Sequence, residues 1–261
     1  MVYLSSWNGK GDILVLVSFP ILATALSVLY DLNLIMSILL FFGVPALYLS
    51  LKKPDHVKRT LLFSLLPLPF FLVFDYLAYI DLTWYVPNSL FRFLQGTTTV
   101  EEMLWVFLWM YFAIMFWEYF LDKSKAKEKF SKFLKYFIIL ISVLVTGFFL
   151  AYVLKQEILQ QPYFYLKLGL IFVLIPLVAF LMKFPRLLRK ILLIGAYFLF
   201  VSLLFEYVGL RNGHWYFPGE HYLGVMNFFG NALPYDELIF WIILGVPSVI
   251  VWYEFFADDR R

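Results

Sequence analysis

Eight stretches of roughly 20 apolar residues, the length that crosses a bilayer as a helix, constrain this chain more than any other feature. They lie near 12–30, 33–51, 60–80, 102–121, 134–154, 164–182, 188–208 and 237–256. With 63% hydrophobic and only 15% charged residues, a 261-residue chain carries more apolar surface than a soluble core can bury. The expected fold class is therefore an all-α membrane protein of about eight transmembrane helices. The first stretch is long for a signal peptide's apolar core, and no clear cleavage site follows it.

The cations sort the loops. One side receives Lys10, four cations in 52–59, six in 123–135, four in 183–190, and Arg260 with Arg261, which makes 17 of the 21 Lys and Arg. Arg92, Lys155, Lys167 and Arg211 remain for the other side. Positive loops stay inside, so the expectation is a multi-pass protein of a prokaryotic cell membrane with both termini cytoplasmic. A net charge of +3 carried at helix ends gives no nucleic-acid surface. Without cysteine there is no disulfide, thiolate nucleophile or thiolate metal site. His56, His214 and His221 form no close-spaced pair, so no metal is expected.

The chain also reads as a duplication. Pro45 and Pro176, Pro54 and Pro185, Asp75 and Glu206, and Trp84 and Trp215 are each separated by 131 residues in the numbering. Glu102 then pairs with Glu237, and Glu118 and Asp122 pair with Glu254 and Asp258. This predicts two parallel four-helix repeats, 1–122 and 134–261, joined by a basic cytoplasmic linker at 123–133. An even number of helices per repeat puts the pseudo-two-fold axis along the membrane normal.

Acids are costly in so apolar a chain, which makes them functional suspects. Asp75 and Glu206 fall near the outer ends of the third and seventh segments. Glu101-Glu102 and Asp236-Glu237 open the fourth and eighth on the same side, among Trp84, Tyr85, Trp105, Trp215, Tyr216 and Trp241. A carboxyl surrounded by apolar groups can stay protonated at neutral pH and act as an acid, and aromatic faces stabilise a cation. Proton donors lined with aromatics suit carbocation chemistry on an alkene. Hydride transfer would need a cofactor site, and none is expected. The structural alternative is capping. Thr98 with Glu101 and Thr99 with Glu102 both fit a capping box, and Pro234 suits the first turn of the last helix. Glu118 lies sixteen residues beyond Glu102, about 24 Å along a helix, so it and Asp122, Glu254 and Asp258 are expected at the opposite interface in structural roles. His214 and His221 are read as surface or hydrogen-bonding residues or, less favoured, as a proton shuttle.

At these residues the chain resembles the small integral-membrane lycopene cyclases, heterodimeric in bacteria and fused in archaea and fungi. That family shows two copies of an acid at a helix end, a Trp after it, and a Pro-x-Glu-Glu motif before a Phe-rich helix. Here the second copy reads Glu206, Trp215, then Pro234-Tyr235-Asp236-Glu237, and the first reads Asp75, Trp84, then Thr99-Val100-Glu101-Glu102. Thr99 stands where the motif has proline, and Asp236 where it has glutamate. The resemblance implies a cofactor-independent cyclase (an isomerase of carotenoid biosynthesis) acting on a lipophilic polyprenoid drawn from the bilayer. Glu102 or Glu237 would protonate a terminal double bond. Glu101, Asp236, Asp75 or Glu206 would remove the final proton, and the tryptophans and tyrosines would line the cation's path. A carotenoid end-group hydratase of the same superfamily, or a lipid or isoprenoid transporter, stays open as an alternative. A second copy of the chain as partner stays open too, with membrane lipid as the surroundings.

Overall fold

A computed structural model describes residues 7–122 and 130–258; residues 123–129 of the expected linker, with their lysines, and Arg260 and Arg261 lie outside that range. The described chain is an all-α protein, 75% helical. Its helices are α1 (Trp7–Leu29), α2 (Leu34–Lys52), α3 (Pro54–Leu65), α4 (Leu68–Ile80), α5 (Val100–Leu121), α6 (Leu134–Leu154), α7 (Phe164–Lys183), α8 (Pro185–Arg211), α9 (Glu237–Ile243) and α10 (Gly245–Phe256). Six are long and apolar enough to cross a membrane unbroken.

The other two expected spans are broken. α3 and α4 meet at a 40° bend, and α9 and α10 at 49°. Proline explains both: Pro67 and Pro247 carry no N–H and clash with the preceding turn. If each bent pair crosses as one span, the number is eight.

The remaining prolines leave carbonyls unclaimed, and other helices claim them. Pro20 frees the Leu16 carbonyl, which accepts the Tyr197 hydroxyl at 3.0 Å. Pro176 frees the Phe172 carbonyl, which accepts Ser248 at 3.1 Å and the Trp252 indole at 2.9 Å. Both Pro45 and Pro176 follow a turn of π-helix, Leu39–Gly43 and Gly169–Leu174, where the wider backbone takes up the misfit.

Lipid tails are as apolar as leucine, so packing rather than water exclusion holds such helices together. α5 is the hub, 61% buried, whereas α6 is 17% buried and stands at the edge. Around α5 the rings of Trp105, Trp109 and Trp241 stack, with Trp109 and Trp241 centroids 4.9 Å apart. Phe205 closes on Phe41 and Phe42 at 5.3 and 4.9 Å.

Two small hairpins cover one end of the bundle: β1 (Arg92–Phe93) with β2 (Thr98–Thr99), and β3 (Val225–Phe228) with β4 (Asn231–Pro234). Pro234 closes β4, paired with Val225, and so does not occupy the helical first turn expected for it. Between the hairpin loops Tyr85 and Tyr216 exchange backbone hydrogen bonds of 2.9 and 3.0 Å. Arg92 turns to the carbonyls of Val86, Pro87 and Gly96 and Arg211 to the Tyr207 hydroxyl.

Candidate functional site

Two pairs of carboxyl groups face one aromatic chamber. In the first pair, the Trp84 indole N–H reaches Glu102 Oε1 at 2.5 Å and Asp75 Oδ1 at 3.3 Å. One donor touching both acids sets them side by side, and a hydrogen bond between two such groups needs a shared proton. Thr99 completes the set. Its amide donates to Asp75 Oδ2 at 3.0 Å, its hydroxyl donates to Glu102 Oε2 at 2.7 Å, and it accepts the Glu102 amide as the N-cap of α5.

In the second pair, Trp215 Nε1 donates to Glu206 Oε1 at 2.9 Å, and the Tyr165 hydroxyl donates to Glu237. Tyr165 also packs edge-on against Trp84, their centroids 5.4 Å apart, and so connects the two pairs. Gly209 makes room for this arrangement: a Cβ there would lie 2.0 Å from the Trp215 ring.

The two adjacent acids do something different. Glu101 accepts from Ser89 at 2.6 Å and from the Leu90 amide at 2.7 Å. Asp236 accepts the Leu223 amide at 2.7 Å. Successive helical residues point about 100° apart, so one acid of each doublet holds the loop while the other turns inward. The Thr98–Glu101 capping box does not form; Thr98 instead donates to the Leu72 carbonyl at 3.4 Å.

The chamber is partly open and spans about 980 Å³ with the space at its mouth. Asp75, Glu101, Glu102, Glu206 and Glu237 line it with Trp84, Trp105, Trp215 and Trp241, as the sequence leads one to expect. Asp236, Tyr85 and Tyr216 do not line it; the tyrosines sit in the bridge above, with Tyr216 46% exposed. Sequence reasoning missed Tyr165, Phe205 and Trp109. For Trp109 a signal existed, since it follows Trp105 by one helical turn.

Of the roles expected for it, His214 takes the hydrogen-bonding one: it is buried, 3.4 Å from Ser37, and burial holds its imidazole below the ordinary value of 6.5. His221 lies 3.2 Å from Asp81. Burial pushes the Tyr222 phenol up to about 12, which keeps it a donor to the Thr83 carbonyl at 2.8 Å.

The other four acids gather at the far end of α5 and α10. Glu118, Asp122, Glu254 and Asp258 are all buried. Trp117 donates to Glu254 at 2.6 Å, and Tyr253 donates to Glu118 at 2.5 Å, a reciprocal exchange between the helices. Arg59 pairs with Asp258 and His56 with Glu118, both at 2.8 Å. Glu118, Asp122 and Asp258 place ligand atoms within 4.8 Å of one another, a spacing that could hold a cation. Arg59 and His56 already engage two of those acids, Asp258 and Glu118, and tie the helices together there. No family model, curated protein or solved structure matches the chain.

Proposed function

We propose that the chamber cyclises the acyclic end groups of lycopene or a related polyprenoid, at the junction of two parallel four-helix repeats, 1–122 and 134–261, linked by 123–133. One observation carries this reading: two carboxyl pairs, each hydrogen-bonded to an indole, open onto a single aromatic cavity. The repeat is supported by matched detail. Trp84 binds Asp75 as Trp215 binds Glu206, each across nine residues. Equivalent residues Tyr85 and Tyr216 bridge to each other, and equivalent π turns precede Pro45 and Pro176. The placement of 17 of 21 cations on one side supports cytoplasmic termini and outward-facing acids.

In this mechanism Glu102 or Glu237 gives its proton to a terminal double bond, leaving a tertiary cation. A neighbouring double bond attacks the cation and closes a six-membered ring. Asp75 or Glu206 then takes a proton from the ring and a new double bond forms, so the product is an isomer of the substrate. Glu101 and Asp236, engaged with loop donors, hold the chamber's cover. Trp105, Trp109 and Trp241 offer faces to the cation, each worth about 2 kcal/mol when desolvated.

A second reading, hydration of the end group, has its own support. The indole N–H groups of Trp105 and Trp241 are buried and have no acceptor among the described residues. Two donors beside a carboxyl could hold a water, and water would capture the cation as a tertiary alcohol. Expression in lycopene-accumulating bacteria distinguishes the two. Cyclic carotene supports the cyclase, a hydroxylated acyclic product supports the hydratase, and unchanged lycopene with folded protein in the membrane removes both.

A further inference from the structure

A second cavity, partly open and spanning about 690 Å³ with the space at its mouth, lies directly behind the acid chamber. The two share a wall made of Phe71, Phe74, Trp109, Leu168 and Trp241. Its far wall is α6, through Phe137, Leu140, Ile141 and Leu144. Its lining is mostly hydrocarbon: the Ser248 hydroxyl and Trp252 indole are both satisfied by the Phe172 carbonyl that Pro176 sets free, and the Trp241 indole N–H on the shared wall is buried without an acceptor among the described residues. An apolar cavity of this kind stays dry and accepts hydrocarbon. Three backbone irregularities surround it: the break at Pro67, the break before Gly245, and the π turn Gly169–Leu174. Regular helices would close in upon such a space.

The wall toward lipid is the least buried span. α6 is 17% buried, and Ile138, Ile139 and Val143 on its outer side are exposed. Only one helix therefore separates the cavity from the bilayer.

We infer that this cavity is a tail chamber, which holds the hydrocarbon chain of the same polyprenoid whose end group sits among the acids, and that the chain reaches it from the bilayer past α6. The inference rests on the reading of the acid chamber. Because bilayer and cavity are equally apolar, the chamber contributes orientation: it sets which carbon of a long chain meets the carboxyls.

Two plugs from opposite walls test it, Leu144→Trp on α6 and Val173→Phe on α7. A Leu144→Cys chain, which has no other cysteine, can be alkylated with a bulky maleimide after folding and gives the same plug without altering folding. Purified wild type and plugged protein are loaded with lycopene, and the retained pigment is read after gel filtration. Conversion is then compared between lycopene and a twenty-carbon polyene bearing the same end group. The expected result is at least a fivefold loss of retained lycopene and at least a tenfold fall in the ratio of long-chain to short-chain conversion. Folded plugged protein that retains lycopene like wild type overturns the tail chamber, as does an equal fall for both chain lengths. Wild type that retains lycopene, loses it when plugged and converts neither substrate supports the chamber and removes the cyclase. Wild type that retains no lycopene overturns both.

Discussion

Replacing Gly209 by alanine should damage the site through one methyl group. Gly209 lies on α8 one turn beyond Glu206, and its missing side chain is the seat of the Trp215 ring. A Cβ would stand 2.0 Å from that ring, while ordinary contact begins at 3.4 Å, so the ring must retreat by the difference, 1.4 Å. The retreat pulls Nε1 away from Glu206 Oε1, now at 2.9 Å. Overpacking of this kind costs about 1–3 kcal/mol, and the better helix propensity of alanine returns about 1 kcal/mol. The net loss of stability is thus small, about 0–2 kcal/mol. Activity should suffer more, because a displacement near 1 Å in a reacting geometry can cost ~10²-fold. Gly147→Ala is the control, since nothing lies within 4 Å of its Cβ. Thermal unfolding and product formation are measured on both variants. Full turnover in Gly209→Ala, with the Trp215–Glu206 bond intact, would refute the reasoning.

Tyr165→Phe removes the hydroxyl that Glu237 accepts; turnover of the folded protein should fall about tenfold or more, with a stability loss of about 1–3 kcal/mol for the buried carboxyl left short of a donor, read by product analysis beside calorimetry. Trp117→Phe leaves Glu254 without its indole donor, which should cost about 1–3 kcal/mol in unfolding free energy. Burial keeps His214 neutral below its ordinary 6.5. The unfolded chain binds a proton there that the folded chain refuses, so this stability is full above that value and is lost as pH falls below it. Melting curves between about pH 5 and pH 8 should show that slope, and His214→Gln should flatten it. Glu102→Gln and Glu237→Gln should each abolish or severely slow ring closure in pigment extracts, and two fully active variants would contradict the assigned roles.

Spans were legible because a bilayer demands apolar runs of a set length, and the acids because they stand out in such runs. The nine-residue spacing from Asp75 to Trp84 and from Glu206 to Trp215 hinted at a shared site, and in the structure each spacing carries an indole–carboxyl hydrogen bond. Tyr165 was hidden. Its partner Glu237 is 72 residues away, and the first half has Leu34 at the position 131 residues earlier. Glu101 and Glu102 are adjacent in sequence and both line the chamber, and only the entry angle of α5 decides which meets Trp84 and which holds the loop at Ser89. The surroundings of the far-end acids were hidden for a related reason. Helix arithmetic gives the depth of Glu118, but its burial comes from Tyr253, His56 and their helices packing over it.

The central claim is protonation of an alkene by a carboxyl, and deuterium measures it directly. Lycopene is incubated with purified protein in D₂O, and the products are examined by mass spectrometry. Carboxyl protons exchange with solvent, so each new ring should carry one deuterium, and Glu102→Gln or Glu237→Gln should suppress ring and label together. A cyclic product without deuterium would contradict the mechanism, and unchanged lycopene with folded protein would contradict the function.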